Sequence, residues 1–231
     1  MISILCSNYN SSEWISNYCN YLNSQLLYSF EVIFVDALST DDSLQKIKDF
    51  TFREGIEVKI IELSSRETVY AAWNIAIEAS KHDYVMNYNT DDKLFRGALL
   101  TLQAYISQNS AVDVFYSNCF LSNNKEHTLD NFHNWMDASK KENLLEGCCV
   151  GPFPLLKKKT VIDCGMFNPD FWITGDYEMW CRMQSKGAKF YKVDDTMGVY
   201  FKNPVGVSTT PNIDRHIEHV RQDNLIREMY A

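Results

Sequence analysis

Two hydrophobic periods alternate along the first part of the chain. Short runs rich in β-branched and aromatic residues stand at Ile2-Ser-Ile-Leu-Cys6, Glu31-Val-Ile-Phe-Val-Asp36, Val58-Lys-Ile-Ile-Glu62 and Asp83-Tyr-Val-Met-Asn87. Each reads as a β-strand. Between them apolar residues recur at spacings of three and four: Trp14, Ile15, Tyr18, Tyr21 and Leu22, then Leu44, Ile47 and Phe50, then Val69, Ala72, Trp73 and Ala76. That spacing places each set on one face of a helix. Near-continuous apolar strands alternating with helices predict an α/β domain, Rossmann-like, with a mostly parallel central sheet flanked by helices. The second part is less regular. Residues 112–116 predict a fifth strand, 174–186 a helix, 189–193 a last strand and 213–229 a polar C-terminal helix. Residues 121–146, with His127, His133 and Trp135, read as a polar surface excursion. No repeat, low-complexity tract or composition break divides the chain, which predicts one domain over 1–231.

Composition narrows the classes. The 231 residues are 45% hydrophobic and 23% charged, as in globular proteins and unlike disordered ones. Surface scaling gives about 10,800 Å² folded against about 39,000 Å² unfolded, enough for a sizeable core. Lys and Arg number 22 against 30 Asp and Glu, a net charge of −8, so the basic footprint of a nucleic-acid protein is missing. The one basic run, Lys157-Lys158-Lys159, reads as a solvated helix start. No apolar run approaches the ~18 residues of a membrane span. The opening residues lack the basic and apolar regions of a signal peptide, which leaves peripheral attachment as the membrane role to expect. Seven cysteines with no C-x-x-C pair and no Cys/His ligand spacing read as reduced, mostly buried thiols of a cytoplasmic protein, with no zinc site.

In an open parallel α/β sheet, ligands bind beyond the carboxyl ends of the strands. Those ends are Ser7-Asn8-Tyr9-Asn10, Asp36 with the following Ala37-Leu38-Ser39-Thr40-Asp41-Asp42, and Asn89-Thr90-Asp91-Asp92. They supply carboxylates, hydroxyls and an aromatic ring, but no phosphate-cradling glycines. The neighbouring carboxylates of Asp91 and Asp92 repel unless a cation or a donor lies between them. Hard oxygen ligands of this kind suit Mg²⁺ or Mn²⁺; either residue could equally cap a helix, and both readings stand. Ser39-Thr40-Asp41-Asp42 reads as a helix N-terminus. Asp176 and Glu178 fall in the first turn of the 174–186 helix, where carboxylates suit the dipole, and Arg182 is spaced to pair with Glu178. His216 and His219 read as solvated residues on a polar helix face. The nucleophile-elbow, zinc-protease, P-loop and dinucleotide signatures are all missing.

Several segments carry a family likeness. The opening Ile2-Ser-Ile-Leu-Cys-Ser-Asn-Tyr-Asn10 is similar to a first strand ending in a T-Y-N turn, and Glu31-Val-Ile-Phe-Val-Asp-Ala-Leu-Ser-Thr-Asp41 to E-I-I-V-V-D-D-G-S-T-D. Val69-Tyr-Ala-Ala-Trp-Asn-Ile-Ala-Ile77 is similar to I-Y-D-A-M-N-K-G-I, and Tyr84-Val-Met-Asn-Tyr-Asn-Thr-Asp-Asp92 to a W-L-N-S-D-D version of the D-x-D metal motif. Gly165-Met-Phe-Asn-Pro-Asp and Gly175-Asp-Tyr-Glu-Met-Trp-Cys-Arg182 look like G-x-F-D and x-D-x-D/E-L-W-x-R. Taken in order, from residue 2 to about 208, the set resembles family 2 of the inverting, nucleotide-sugar-dependent glycosyltransferases, with the glycosyltransferase-A fold, in a bacterial polysaccharide-type branch.

The resemblance implies metal-dependent, inverting transfer of one sugar, from a UDP-sugar in the first instance, to a hydroxyl of a glycan or lipid-linked acceptor. Mn²⁺ or Mg²⁺ is the implied cofactor. Ser7, Tyr9, Asp36, Asn74 and Asp91 would bind the nucleotide, with the Tyr9 ring as a stacking face. Asp91 and Asp92 would serve the metal, the direct ligand of the two left open, and Asp176 would be the general base. Residues 1–92 would form the nucleotide-binding half and 93–231 the acceptor-binding half. The chain departs from the family pattern at Asn89, where many members carry the first acid of D-x-D, and at Ala37, in place of the second acid of D-D. Ser65-Arg66-Glu67-Thr68 lacks a glycine often found before the helix, and Tyr200-Phe-Lys-Asn203 holds no histidine for a further metal bond. Processive synthases carry Q-x-x-R-W, which is missing here, so transfer of a single sugar is expected. Two other readings are a non-catalytic nucleotide- or glycan-binding descendant, which gives Asp176 no task, and a sugar nucleotidyltransferase, which would want a basic glycine loop after strand one.

Overall fold

The computed structural model describes residues 1–207, 209 and 211–231. Its first part follows the expected alternation: β1 (Ile2–Asn8), α1 (Ile15–Asn23), β2 (Phe30–Asp36), α2 (Ser43–Asp49), β3 (Ile56–Glu62), α3 (Val69–Ala79) and β4 (Tyr84–Asn87). The chain continues through β5 (Lys93–Leu94), α4 (Ala98–Gln108), β6 (Val114–Ser117), β7 (Cys119–Ser122), β8 (Asn131–His133) and α5 (Lys141–Glu146). It ends with β9 (Leu155–Lys157), α6 (Lys158–Cys164), α7 (Gly175–Ser185), β10 (Phe190–Val193), β11 (Gly198–Phe201) and α8 (Ile213–Tyr230).

Seven strands form the central sheet in the order β10-β6-β9-β4-β1-β2-β3. Only β9 runs against its neighbours, antiparallel to both β4 and β6. The register brings Asn8 beside Asp36 and Asp36 beside Glu62, so the carboxyl ends of β1, β2 and β3 lie level. Successive side chains leave a strand on opposite faces. Ile2, Ile4 and Cys6 therefore enter one core with Tyr18 and Leu22 of α1 and Leu99 and Leu102 of α4. Leu5, Ile33 and Val35 enter the other, with Trp73 and Ala76 of α3 and Met179 and Trp180 of α7. On β3, the sheet edge, Glu57, Lys59 and Glu62 stay exposed, and such charges discourage pairing with a further strand. The accessible surface, 10512 Å², agrees with the value expected from chain mass.

Three features go beyond the sequence reading. Residues 121–146 lie mostly at the surface, as expected, but with structure of their own: β8 pairs with β7 in a second sheet ordered β5-β11-β7-β8, and His127, Ala138 and Leu144 are buried. The polar pattern conceals β8 because it is an edge strand, and an edge strand needs little apolar cover. The fifth strand, β6, does not adjoin β4. The three-residue β9 lies between them, and a run that short shows no period. Asp42 precedes α2 without a side-chain cap bond. Instead Asp41 Oδ1 accepts from Ser43 N–H at 3.0 Å while its Oδ2 accepts from Ser12 N–H at 2.9 Å, which ties α2 to the loop after β1. The cysteines are unpaired and six are buried, with Cys148 exposed. No helix among the described residues is long and apolar enough to cross a membrane.

Candidate active site

Asn8 ends β1 and Asp36 ends β2, and adjacent strands bring their side chains together. Asn8 Nδ2 donates to Asp36 Oδ1 at 2.5 Å and to Ser43 Oγ at 3.1 Å, and its Oδ1 accepts from Ser11. Asp36 Oδ2 accepts from Ser39 N–H at 3.0 Å. Both carboxylate oxygens are thus engaged, and Asp36 is buried. The turn that carries Ser39 requires a positive φ at Leu38, which sits at φ 63°. Of the residues singled out on β1, Ser7 is half-buried and Tyr9 is 37% exposed. The Arg66 guanidinium, from the loop between β3 and α3, lies 4.2 Å from the Tyr9 ring centroid.

Asp91 and Asp92 follow β4 and occupy different environments. Asp91 is half-buried and its Oδ2 accepts from Asn203 Nδ2 at 2.8 Å. His127 Nε2 lies 2.6 Å from the Asp91 carbonyl and fixes the backbone there. Asp92 is 1% exposed. Its Oδ1 accepts from Phe201 N–H at 2.9 Å, while its Oδ2 is buried with no partner. Burial raises both carboxyls above the usual range. The Asn203 amide opposes the shift at Asp91, and the Asp91 charge adds to it at Asp92. No three His, Cys, Asp or Glu side chains gather into a metal cluster among the described residues. Ions of the Mg²⁺ type need only one or two carboxylates and complete their shells with water and substrate phosphate. A pair of carboxylates with one orphaned buried oxygen fits such an ion.

Asp176 stands in the first turn of α7. In a βαβ unit the helix begins near the carboxyl edge of the sheet, so α3, following β3, starts close to the strand ends described above. Tyr70, near the start of α3, donates its hydroxyl to Ile173 O at 3.0 Å and to Asp176 Oδ1 at 3.2 Å. Oδ1 also accepts from Tyr177 N–H at 2.9 Å, while Oδ2 accepts no bond from a described residue. Burial raises the Asp176 carboxyl, with these two donors and His219 pulling in the opposite direction. A cavity of about 400 Å³ lies between Ile173 and the start of α8, lined by Ile173, Asn212, Arg215, His216 and His219. Asp176 itself does not line it, and Ile173, whose carbonyl shares the Tyr70 hydroxyl, is the link between the two. Of the two histidines expected on a solvated face, His216 is exposed as expected, while His219 is half-buried and its charge acts on Asp176. Glu178 pairs with Arg182 as the spacing predicts, through Nε–Oε1 at 2.9 Å and Nη2–Oε2 at 2.8 Å. Asn74, expected among the nucleotide contacts, spends both ends of its amide on the Phe167 backbone, at 2.7 and 2.9 Å.

The layout thus has a polar crevice at the strand ends and a separate cavity between Ile173 and the start of α8. Comparison with known proteins then settles the ancestry: the profile described as Glycosyl transferase family 2 matches residues 3–164, well over half of the chain. The chain belongs to that family. Among curated family relatives, the poly(ribitol-phosphate) beta-N-acetylglucosaminyltransferase TarS of Staphylococcus aureus is 27% identical over 109 residues, 46% of this chain but 19% of TarS. Glycosyltransferase GlyG of Streptococcus pneumoniae is 23% identical over 133 residues, 58% of this chain and 42% of GlyG. The matches thus span less than half of those relatives. S. aureus TarS 1–349 in complex with UDP-GlcNAc superposes with a TM-score of 0.77 at 16% identity, covering 98% of this chain and 70% of that one. The mannosyltransferase PcManGT of Pyrobaculum calidifontis, in complex with GDP-Man and Mn²⁺, gives 0.72 at 15% identity, covering 98% and 64%. At such identities these structures establish the shared fold.

Sequence reasoning passed over Asn8, Tyr70, His127 and Asn203. Asn8 was hidden at a strand end and Tyr70 within an apolar helix face. His127 and Asn203 reach Asp91 from distant segments, and no local pattern marks them.

Proposed function

We propose that this chain is an inverting transferase that moves one sugar from a nucleotide sugar to an acceptor hydroxyl, with Asp176 as general base. The observation that carries the reading is the division of labour on Asp176: Oδ1 holds both protein hydrogen bonds and Oδ2 holds none among the described residues. A base needs a fixed carboxylate with one oxygen left for the substrate. Oδ2 takes the proton of the acceptor O–H as that oxygen attacks the anomeric carbon. The bond from the anomeric carbon to phosphate oxygen breaks, and the nucleoside diphosphate leaves with the electron pair. A carboxyl raised by burial is the stronger base near neutral pH. The acceptor would enter by the cavity between Ile173 and α8, as a glycan or a lipid-linked sugar.

Asp36, already held by Asn8 and Ser39, would present a fixed acid to the base or ribose, with Ser7 and the Tyr9 ring alongside. Asp91, the more exposed of its pair, would touch a Mn²⁺ or Mg²⁺ ion, and Asp92 would back it with its unpartnered oxygen. When bound, such an ion offsets charge on the departing diphosphate. TarS has been captured with UDP and with UDP-GlcNAc, so a UDP-sugar is the donor to test first. The test is a thermal-shift and calorimetric comparison of UDP, UDP-GlcNAc and GDP-mannose, each with and without Mn²⁺. A ligand at 100 times its Kd stabilises the folded chain by about 2.7 kcal/mol. A metal-dependent shift with the uridine compounds is expected. No shift with any of the three in Mn²⁺ would overturn the donor assignment.

A further inference from the structure

Tyr70 is 5% exposed on the second position of α3, in an aromatic cluster. Its ring lies 5.5 Å from Trp73 and is stacked on Phe167 at 5.9 Å. Gly175, the residue before Asp176, fits flat against it: a Cβ there would come within 2.8 Å of the ring. The packing therefore dictates where the Tyr70 hydroxyl points, and it points at the start of α7. Its single proton is shared between Ile173 O and Asp176 Oδ1, and a charged acceptor makes the stronger bond. Rotation of a carboxylate about its last torsion is broad and nearly two-fold. The Tyr177 N–H, from the adjacent residue, holds Oδ1 from one side. Among the described side chains, only that of Tyr70 holds it from another element.

We propose that Tyr70 is the positioning residue for the base: its hydroxyl locks Oδ1 of Asp176 onto the protein and so turns Oδ2 toward the acceptor. The inference rests on the assignment of Asp176 as base, but its structural half can be measured without it. The other ionisable groups near Asp176 are the Cys148 thiol, from the segment before β9, and His219 of α8. Both remain in a Tyr70 variant. Tyr70→Phe keeps the ring and its fit to Gly175 and removes one hydroxyl.

The experiment is a ¹³C titration of the Asp carboxyl carbons in wild type and Tyr70→Phe, with Asp176→Asn identifying the resonance. Loss of a donor to a carboxylate should raise the Asp176 midpoint by about one unit. In parallel, UDP release from UDP-GlcNAc should show kcat lowered about tenfold near the acid limb. The KM for UDP-GlcNAc should stay within about twofold, and the deficit should narrow as pH rises. An unmoved midpoint together with kcat within about twofold of wild type across the pH range overturns the positioning role. If instead the midpoint moves but Asp176→Asn still turns over, the base assignment falls and the Tyr70–Asp176 link stands. A melting temperature within a few degrees of wild type confirms that the variant reports on the site.

Discussion

Arg182→Ala tests how α7, which carries Asp176, is held. The Arg182 guanidinium meets both oxygens of Glu178, at 2.9 and 2.8 Å, and also donates to the carbonyls of Cys164 and Met166. The Tyr230 hydroxyl, near the end of α8, completes the group by donating to Glu178 Oε1 at 2.6 Å. The Glu178 side chain is 2% exposed and that of Arg182 16%. Removing the arginine leaves a buried carboxylate with one neutral donor. Stranding one member of a buried ion pair costs about 3–5 kcal/mol. Because Arg182 has an opening to solvent, water can take part of its place, so the lower end, about 3 kcal/mol, is expected. For a chain of this length that lowers Tm by about 6–12 °C. Urea unfolding of wild type and Arg182→Ala, with Glu178→Leu/Arg182→Met as the matched apolar pair, provides the measurement. The apolar pair should recover at least half of the loss, since it strands no charge. A loss below about 1 kcal/mol for Arg182→Ala, or no recovery in the double variant, would refute the argument that this pair is desolvated.

Leu38 holds φ 63° with its side chain half exposed, a conformation that costs an ordinary residue about 1–2 kcal/mol. After allowing for the extra freedom of unfolded glycine, Leu38→Gly should stabilise the chain by about 0.5–1 kcal/mol in urea unfolding; destabilisation would contradict the turn geometry. Asp92 has a folded-state pKa raised well above the unfolded value, so its contribution is favourable below the unfolded pKa and is lost as pH rises through the folded one. Asp92→Asn keeps an acceptor for Phe201 N–H. It should therefore stabilise the metal-free protein at pH 8, with the gain vanishing near pH 3, and should weaken the stabilisation by Mn²⁺; a gain that grows on acidification would refute the assignment. Arg66 covers one face of the Tyr9 ring, a contact worth about 0.5–1 kcal/mol when exposed. If the base stacks there, Arg66→Ala should tighten uridine binding about two- to fivefold by calorimetry, whereas weaker binding would place Arg66 itself against the nucleotide.

The first four strands and three helices were legible because each repeats one period long enough to be seen. β2 is buried along all seven residues and α3 keeps Ala72, Trp73, Ala76 and Ile77 on its covered side. The second sheet was not legible. β5 has two residues and β8 three, and their pairing is decided by tertiary neighbours. The same holds at the candidate site. The acids at 36, 91, 92 and 176 stand out as strand ends and a helix start, but their environments come from residues far along the chain. Asn203 reaches Asp91 across 112 positions and Tyr70 reaches Asp176 across 106. Asp91 stays half-buried beside Asn203, whereas Asp92 is buried under β11, whose Phe201 N–H meets its Oδ1 and leaves Oδ2 without a partner. Two neighbouring aspartates look alike in sequence, and only packing separates them.

The central claim is that Asp176 takes the acceptor proton. The most direct measurement is UDP release from UDP-GlcNAc, or from whichever nucleotide sugar binds tightest, by wild type and Asp176→Asn. It is paired with the Kd of the nucleoside diphosphate for both proteins. The account predicts turnover lowered at least about 100-fold, the usual weight of a general base, with the Kd unchanged within a few-fold. Turnover of Asp176→Asn close to wild type would contradict it.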